Sequence, residues 1–235
     1  PIILQILLSK THRLAALNLM GDFMDLGEWA VGEALNVGIF PYVLKLLQSP
    51  SSELRSILLY IWTRIVVCDD FSKNDLLKDE GYIFFLNIML RKKPSDGVPY
   101  SDEEYVMSIL IMAFFVNEFS VAQSSVMKYG VLKVCIEMVS DKNWKIRQWS
   151  LLFLANLIKN DSESKWQTIR EAGMQKLQSC LNDSVPEVRA AGMYLFASFF
   201  EGPNLGYSEE AVNLDQVIII RILEKISDGS HIVRQ

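Results

Sequence analysis

The chain is 235 residues long, half of them hydrophobic and 22% charged, which suits a large buried core. With 12 Gly and 7 Pro it is poor in turn formers, which predicts long helices rather than many short strands. A net charge of −5 argues against a grip on nucleic acid, and no apolar run reaches the ~18 residues of a membrane-spanning helix. The length alone predicts one elongated domain or two small ones.

Taken in chain order, the elements repeat. Gly38, Gly81, Gly130 and Gly173 each open an apolar segment, at intervals of 43, 49 and 43 residues. A second marker is Asp or Ser, four residues, an aliphatic, then Arg. It runs from Ser49 to Arg55, Asp141 to Arg147, Asp183 to Arg189 and Asp228 to Arg234. Arg13 lies 42 residues before Arg55, and Tyr105 takes the Arg place in one degenerate unit. This period is that of HEAT and armadillo repeats and predicts an all-α solenoid of about five to six units. Segments 57–67, 106–115, 149–158 and 190–200 are apolar on nearly every side, as the inner helix of a stacked unit must be. Each is expected to pair with one outer amphipathic helix, such as the one following Gly173. Ser184 and Glu187 have capping-box spacing around Pro186 at the start of one inner helix. Segments 91–103 and 201–214 break the period and read as exposed loops.

The repeated Asp and Arg carry a structural reading, which their repetition favours over the alternative that the Arg residues line a partner-binding groove. Asp is placed to cap the inner helix, and Arg to reach the Asp of the next unit, a ladder that fixes stacking. Its members are Arg13, Arg55, Asp141, Arg147, Asp183, Arg189, Asp228 and Arg234.

Catalytic patterns are missing. The two histidines, His12 and His231, are far apart, and no HExxH, GxSxG, GxGxxG or Walker-type loop occurs. Cys68, Cys135 and Cys180 have no disulfide or metal spacing, which favours a reducing compartment, and Cys135 and Cys180 read as core. The carboxylate pairs Asp69-Asp70 and Glu103-Glu104 read as solvated charge at helix ends. The expectation is a non-enzyme with no cofactor and no metal. Of the five tryptophans, Trp62 and Trp149 read as core. Trp144 and Trp166 read as exposed, and Trp166 beside Arg170 has the composition of an interface hot spot, with packing against the neighbouring repeat as the alternative.

Specific strings then point to a family. The stretch Ala34–Ser49 resembles a signature of Raptor, the substrate-recruiting subunit of TOR complex 1. Residues 12–17, 25–31, 75–79, 146–149, 185–191 and 227–234 resemble it in the same order, so the resemblance covers essentially the whole chain. It departs in 91–103 and 201–214. The resemblance implies that residues 1–235 are one armadillo/HEAT-like domain of a larger protein, consistent with a chain that begins and ends in mid-pattern. In that family a caspase-like domain lies before it and a WD-type propeller after it. The implied function is a scaffold that binds the TOR kinase, helps receive substrates carrying a TOR-signalling motif and docks Rag-type small GTPases. The implied location is the cytoplasm, with recruitment to the lysosomal or vacuolar surface and no membrane insertion. Tyr42 is carried over to the substrate-motif groove, and Trp166 with Arg170 to a GTPase-facing ridge. The alternative is a generic adaptor for cargo peptides, but that class repeats exposed Trp and Asn in phase, and Asn156 has no counterparts.

Overall fold

Three-helix units, rather than the expected pairs, build the chain. In the computed structural model, which describes residues 5–7, 9–47, 51–94, 97–203 and 205–235, no strand occurs among the described residues. Two compact units divide it, residues 1–115 and 116–235.

The first unit opens on α1 (Arg13–Met24), followed by the triplet α2 (Glu28–Asn36), α3 (Phe40–Leu47) and α4 (Ser52–Cys68). A second triplet is α5 (Ser72–Lys78), α6 (Tyr82–Met89) and α7 (Asp102–Val116). Each triplet is two short helices and one long one. The split between the short helices is what the glycines mark. Gly38 has φ +89°, which a side chain rarely tolerates, and α2 and α3 meet there at 88°. No single helix among the described residues is long and apolar enough to cross a membrane. At the second break the left-handed residue is Glu80, with φ +53°, and Gly81 serves close packing instead. A Cβ at Gly81 would meet Leu44 Cδ1 at 2.7 Å. Trp62, fully buried on α4, links Phe40 of α3 to Phe85 of α6 by edge-on ring contacts at 5.3 and 5.7 Å. Tyr82 stacks on Phe115 at 5.2 Å. These contacts join the short helices of both triplets to the long ones, and burial of such rings dominates core energetics.

The second unit repeats the plan with α8 (Ser120–Met127), α9 (Val131–Met138) and α10 (Trp144–Ile158), then α11 (Ser162–Ala172), α12 (Met174–Cys180) and α13 (Pro186–Ser198). It ends on α14 (Glu209–Glu224) and α15 (His231–Arg234). Gly130 (φ +67°) and Gly173 (φ +70°) break the short-helix pairs. The long helices α10 and α13 pack on each other, and Phe153 and Leu154 of the first and Leu195 and Phe196 of the second are buried. Asn143, Asp161 and Ser208 cap α10, α11 and α14 through their side chains.

Both expected loops are shorter than the sequence predicts. Helix α7 starts at Asp102 and α14 at Glu209, because Glu209 and Glu210 in the first turn and the Ser208 cap favour helix there. Within those loops residues 95, 96 and 204 lie outside the described residues, as does Ser49 of the first repeat marker. The Ser184–Glu187 capping box does not form. Val185 is the cap residue of α13, without a side-chain bond, and Pro186 opens the helix.

Candidate binding surfaces

The recurring Asp is not a helix cap in the usual sense. It stands two residues before the cap position and folds back. Asp141, Asp183 and Asp228 each accept the backbone N–H two residues on, from Asn143, Val185 and Ser230, at 2.9 Å in each instance. This turn presents the Asp main-chain carbonyl to the Arg six residues later. Arg147, Arg189 and Arg234 donate from Nη1 to the carbonyls of Asp141, Asp183 and Asp228. The rest of the guanidinium faces the next unit. Arg147 grips Asp183 with Nε and Nη2 at 2.8 and 2.9 Å, and Arg189 grips Asp228 at 2.9 and 2.8 Å. Planar fork on planar carboxylate fixes orientation as well as distance, which Lys does not do. Burial works against the charge of Asp183, but the Arg147 fork and the Val185 N–H outweigh it and hold its carboxyl below the usual range. The Arg189 fork, with the Ser230 N–H, lowers Asp228 to about 2.

The first unit has a variant of this joint. Arg13 donates to the carbonyl of Leu7, again six residues back. Arg55, buried on α4, donates from Nε to Glu104 at 3.1 Å and from Nη1 and Nη2 to the Val98 carbonyl. The Tyr100 ring covers its guanidinium at 4.5 Å. Glu104 also accepts from Ser56 Oγ and from the Ser101 N–H, while Ser101 Oγ accepts from the Glu104 N–H. The capping box sits here, and Glu104 is a buried partner of Arg55 rather than the solvated end charge its neighbour Glu103 implied. A pair of adjacent acids looks identical in sequence whether one turns inward or not, so no signal in the chain separates them.

Helix α11 carries the other buried polar joint. Lys165 is fully buried, and its Nζ donates to the carbonyls of Phe199, Glu201 and Pro203 beyond α13. Gln123, 42 residues earlier, does the same work with one amide, which donates to Val116 O and Asn156 O at 3.1 and 2.9 Å. A cation at a helix C-terminus also meets the negative end of the helix dipole. Trp166, expected to be exposed, is half-buried, and its indole N–H donates to Leu205 O at 3.1 Å. Two adjacent side chains thus hold four carbonyls of segment 199–205. Arg170, one turn on, is exposed and pairs with Glu163 of the same helix. Tyr42 is half-buried on α3. Trp144 is exposed, with Lys145 near its ring, and Trp149, expected in the core, is half-buried. Cys135 and Cys180 are buried, and burial pushes both thiols up. Among the described residues no group of three His, Cys, Asp or Glu is arranged to hold a metal ion.

Units of two short helices and one long one, broken at left-handed residues and joined at their long helices, define an armadillo-type helical repeat protein. The designed armadillo repeat protein YIII(Dq.V1)4CPAF, solved with a (KR)4 peptide, superposes over the whole chain with a TM-score of 0.74 at 15% identity, a likeness of fold alone. No protein-family profile matches the chain. Two relatives are nearer. The target of rapamycin complex 1 subunit mip1 of Schizosaccharomyces pombe is 42% identical over 237 aligned residues, which take in all of this chain. The crystal structure of Chaetomium thermophilum Raptor superposes over all of it with a TM-score of 0.85 at 41% identity. Over its whole length the chain is homologous to a segment of Raptor-family proteins. It spans 18% of the length of the fission yeast subunit and 22% of the crystallised Raptor chain.

Proposed function

We propose that this segment is a non-catalytic scaffold of TOR complex 1. Its helical-repeat surface binds the TOR kinase, helps present substrates that carry a TOR-signalling motif, and docks Rag-type small GTPases. It acts in the cytoplasm and is recruited to the lysosomal or vacuolar surface. The observation that carries the reading is identity of 41–42% to Raptor-family proteins along the entire chain, against 15% for a protein that shares only the fold. The mechanism is effective concentration: substrate held on the same body as the kinase meets it as an intramolecular partner. The Arg147–Asp183 and Arg189–Asp228 joints suit that work, because a scaffold must hold its sites at fixed spacing. Tyr42, half-buried on α3, is the proposed contact for the substrate motif. Arg170, exposed on α11 one turn from Trp166, is the proposed GTPase contact.

The test is direct binding of purified TOR kinase to the immobilised chain, with Rag heterodimer and a TOR-signalling-motif peptide added in turn. Saturable binding of the kinase supports the reading. A folded chain that retains no kinase contradicts it.

A further inference from the structure

One end of the first unit exposes apolar side chains that the family reading leaves without a role. The turn between α1 and α2 packs against the C-terminal end of α4. Arg64 Nη2 donates to Met24 O at 3.2 Å, Arg64 Nε pairs with Asp25 at 3.5 Å, and α2 packs against α4. On this edge Leu26 is 62% exposed, Trp29 61%, Val67 51% and Phe71 81%. Single exposed apolar residues are ordinary, but two aromatics and two aliphatics on one edge are the composition of a binding patch. The patch is held in shape. Trp29 meets Phe23 edge-on at 5.8 Å, and Tyr60 donates to Asp25 across the α1–α4 contact. Pre-set aromatics bind with little ordering cost.

The rim decides what fits. Asp25 and Glu28 alternate along the chain with Leu26 and Trp29, and Asp69 and Asp70 stand between Val67 and Phe71. Arg64 is engaged by Asp25, and Lys73 by Asp70, so the rim is left net negative. An acidic rim repels an anionic membrane surface and a second copy of itself. We propose that this edge of α1, α2 and α4 docks an amphipathic helix of a partner protein, apolar on the face that meets Trp29 and Phe71 and lined with Lys or Arg. This goes beyond the scaffold reading and does not depend on which complex the chain serves.

The test uses the whole chain labelled with 5-fluorotryptophan, whose five resonances are assigned by single Trp→Phe changes and followed by 19F NMR. The probe is a Leu/Lys amphipathic helical peptide of about five turns. Its Lys→Glu and Leu→Ser counterparts are the controls. The expected result is a saturable shift of the Trp29 resonance with buried Trp62 unmoved, weakened about tenfold by added salt, by either control peptide, and by Leu26→Ser with Phe71→Ser. Both substitutions are at exposed positions, and an unchanged melting temperature separates lost docking from lost fold; Phe71→Ser alone serves if the pair unfolds. The proposal is overturned if Trp29 does not move, if the Glu peptide binds as well, or if the serine variant binds as tightly as the parent. It is also overturned if the Trp29 resonance moves with chain concentration alone, which would make the occupant a second copy.

Discussion

Arg189 and Asp228 meet through two parallel hydrogen bonds of 2.9 and 2.8 Å, and the same guanidinium holds the Asp183 carbonyl behind it. One side chain therefore ties its own turn to the turn of the next unit. Arg147 does the same between Asp141 and Asp183. Asp183 is thus shared, with its carboxylate bound to one Arg and its carbonyl to the next, so the joints are coupled in series.

The coupling predicts that Arg147→Ala destabilises the second unit by about 2 kcal/mol, since it removes a fork and leaves a mostly buried carboxylate unpaired. Arg147→Lys recovers less than half, because an ammonium cannot make the bidentate contact. Urea unfolding monitored by circular dichroism measures both. A double-mutant cycle with Asp183→Asn must show a coupling energy well above zero.

The Asp228 joint predicts acid sensitivity of a definite sign. Its folded pKa of about 2 lies below the ~3.9 of an unfolded Asp, so the folded state binds its proton more weakly. Its contribution to stability is complete above about pH 4 and is lost as pH falls through about 2. Melting temperatures measured across that window must fall less steeply for Asp228→Asn than for the parent chain.

Lys165 predicts a large cost at a position that looks like helix surface in sequence. Lys165→Met keeps the stem but strands three carbonyls, and the expected loss is about 3 kcal/mol. Trp166→Phe removes one hydrogen bond to Leu205 and costs about 1 kcal/mol. Hydrogen exchange in segment 199–205 must quicken in both variants, more in the first.

Two glycines separate strain from crowding. Gly130 has φ +67° with open space around it, and Gly202 has φ +64° with Lys159 O 2.6 Å from where a Cβ would stand. Gly130→Ala is expected to cost about 1 kcal/mol from backbone strain alone. Gly202→Ala is expected to cost about 3 kcal/mol, because a main-chain carbonyl cannot swing away as a side chain can. Thermal unfolding of the two variants checks the order.

The repeat and its Arg positions were legible because every unit solves the same stacking problem, so the same residues recur in phase. The third helix was not. Glycine reads equally as the start of a segment or as a break within one, and only φ at Gly38, Gly130 and Gly173 separates the two. Arg55–Glu104 was hidden because the inserted loop moved its acceptor out of register, so that the Val98 carbonyl and Glu104 share the work. Lys165 was hidden for another reason. A buried lysine is rare, and one whose partners are carbonyls leaves no charged partner in the sequence. Trp166 lies on the helix the sequence predicts, but its partner Leu205 lies in the irregular segment between α13 and α14.

The proposed binding of this chain to TOR kinase is tested most directly by exchange. In the fission yeast subunit, the segment that aligns with this chain is replaced by these 235 residues, and TOR kinase recovered with the tagged chimera is measured. Kinase recovery is expected to stay close to that of the unaltered subunit, and to fall sharply when the exchanged segment carries Arg147→Ala with Arg189→Ala. A chimera that is folded and abundant but recovers no kinase would contradict it.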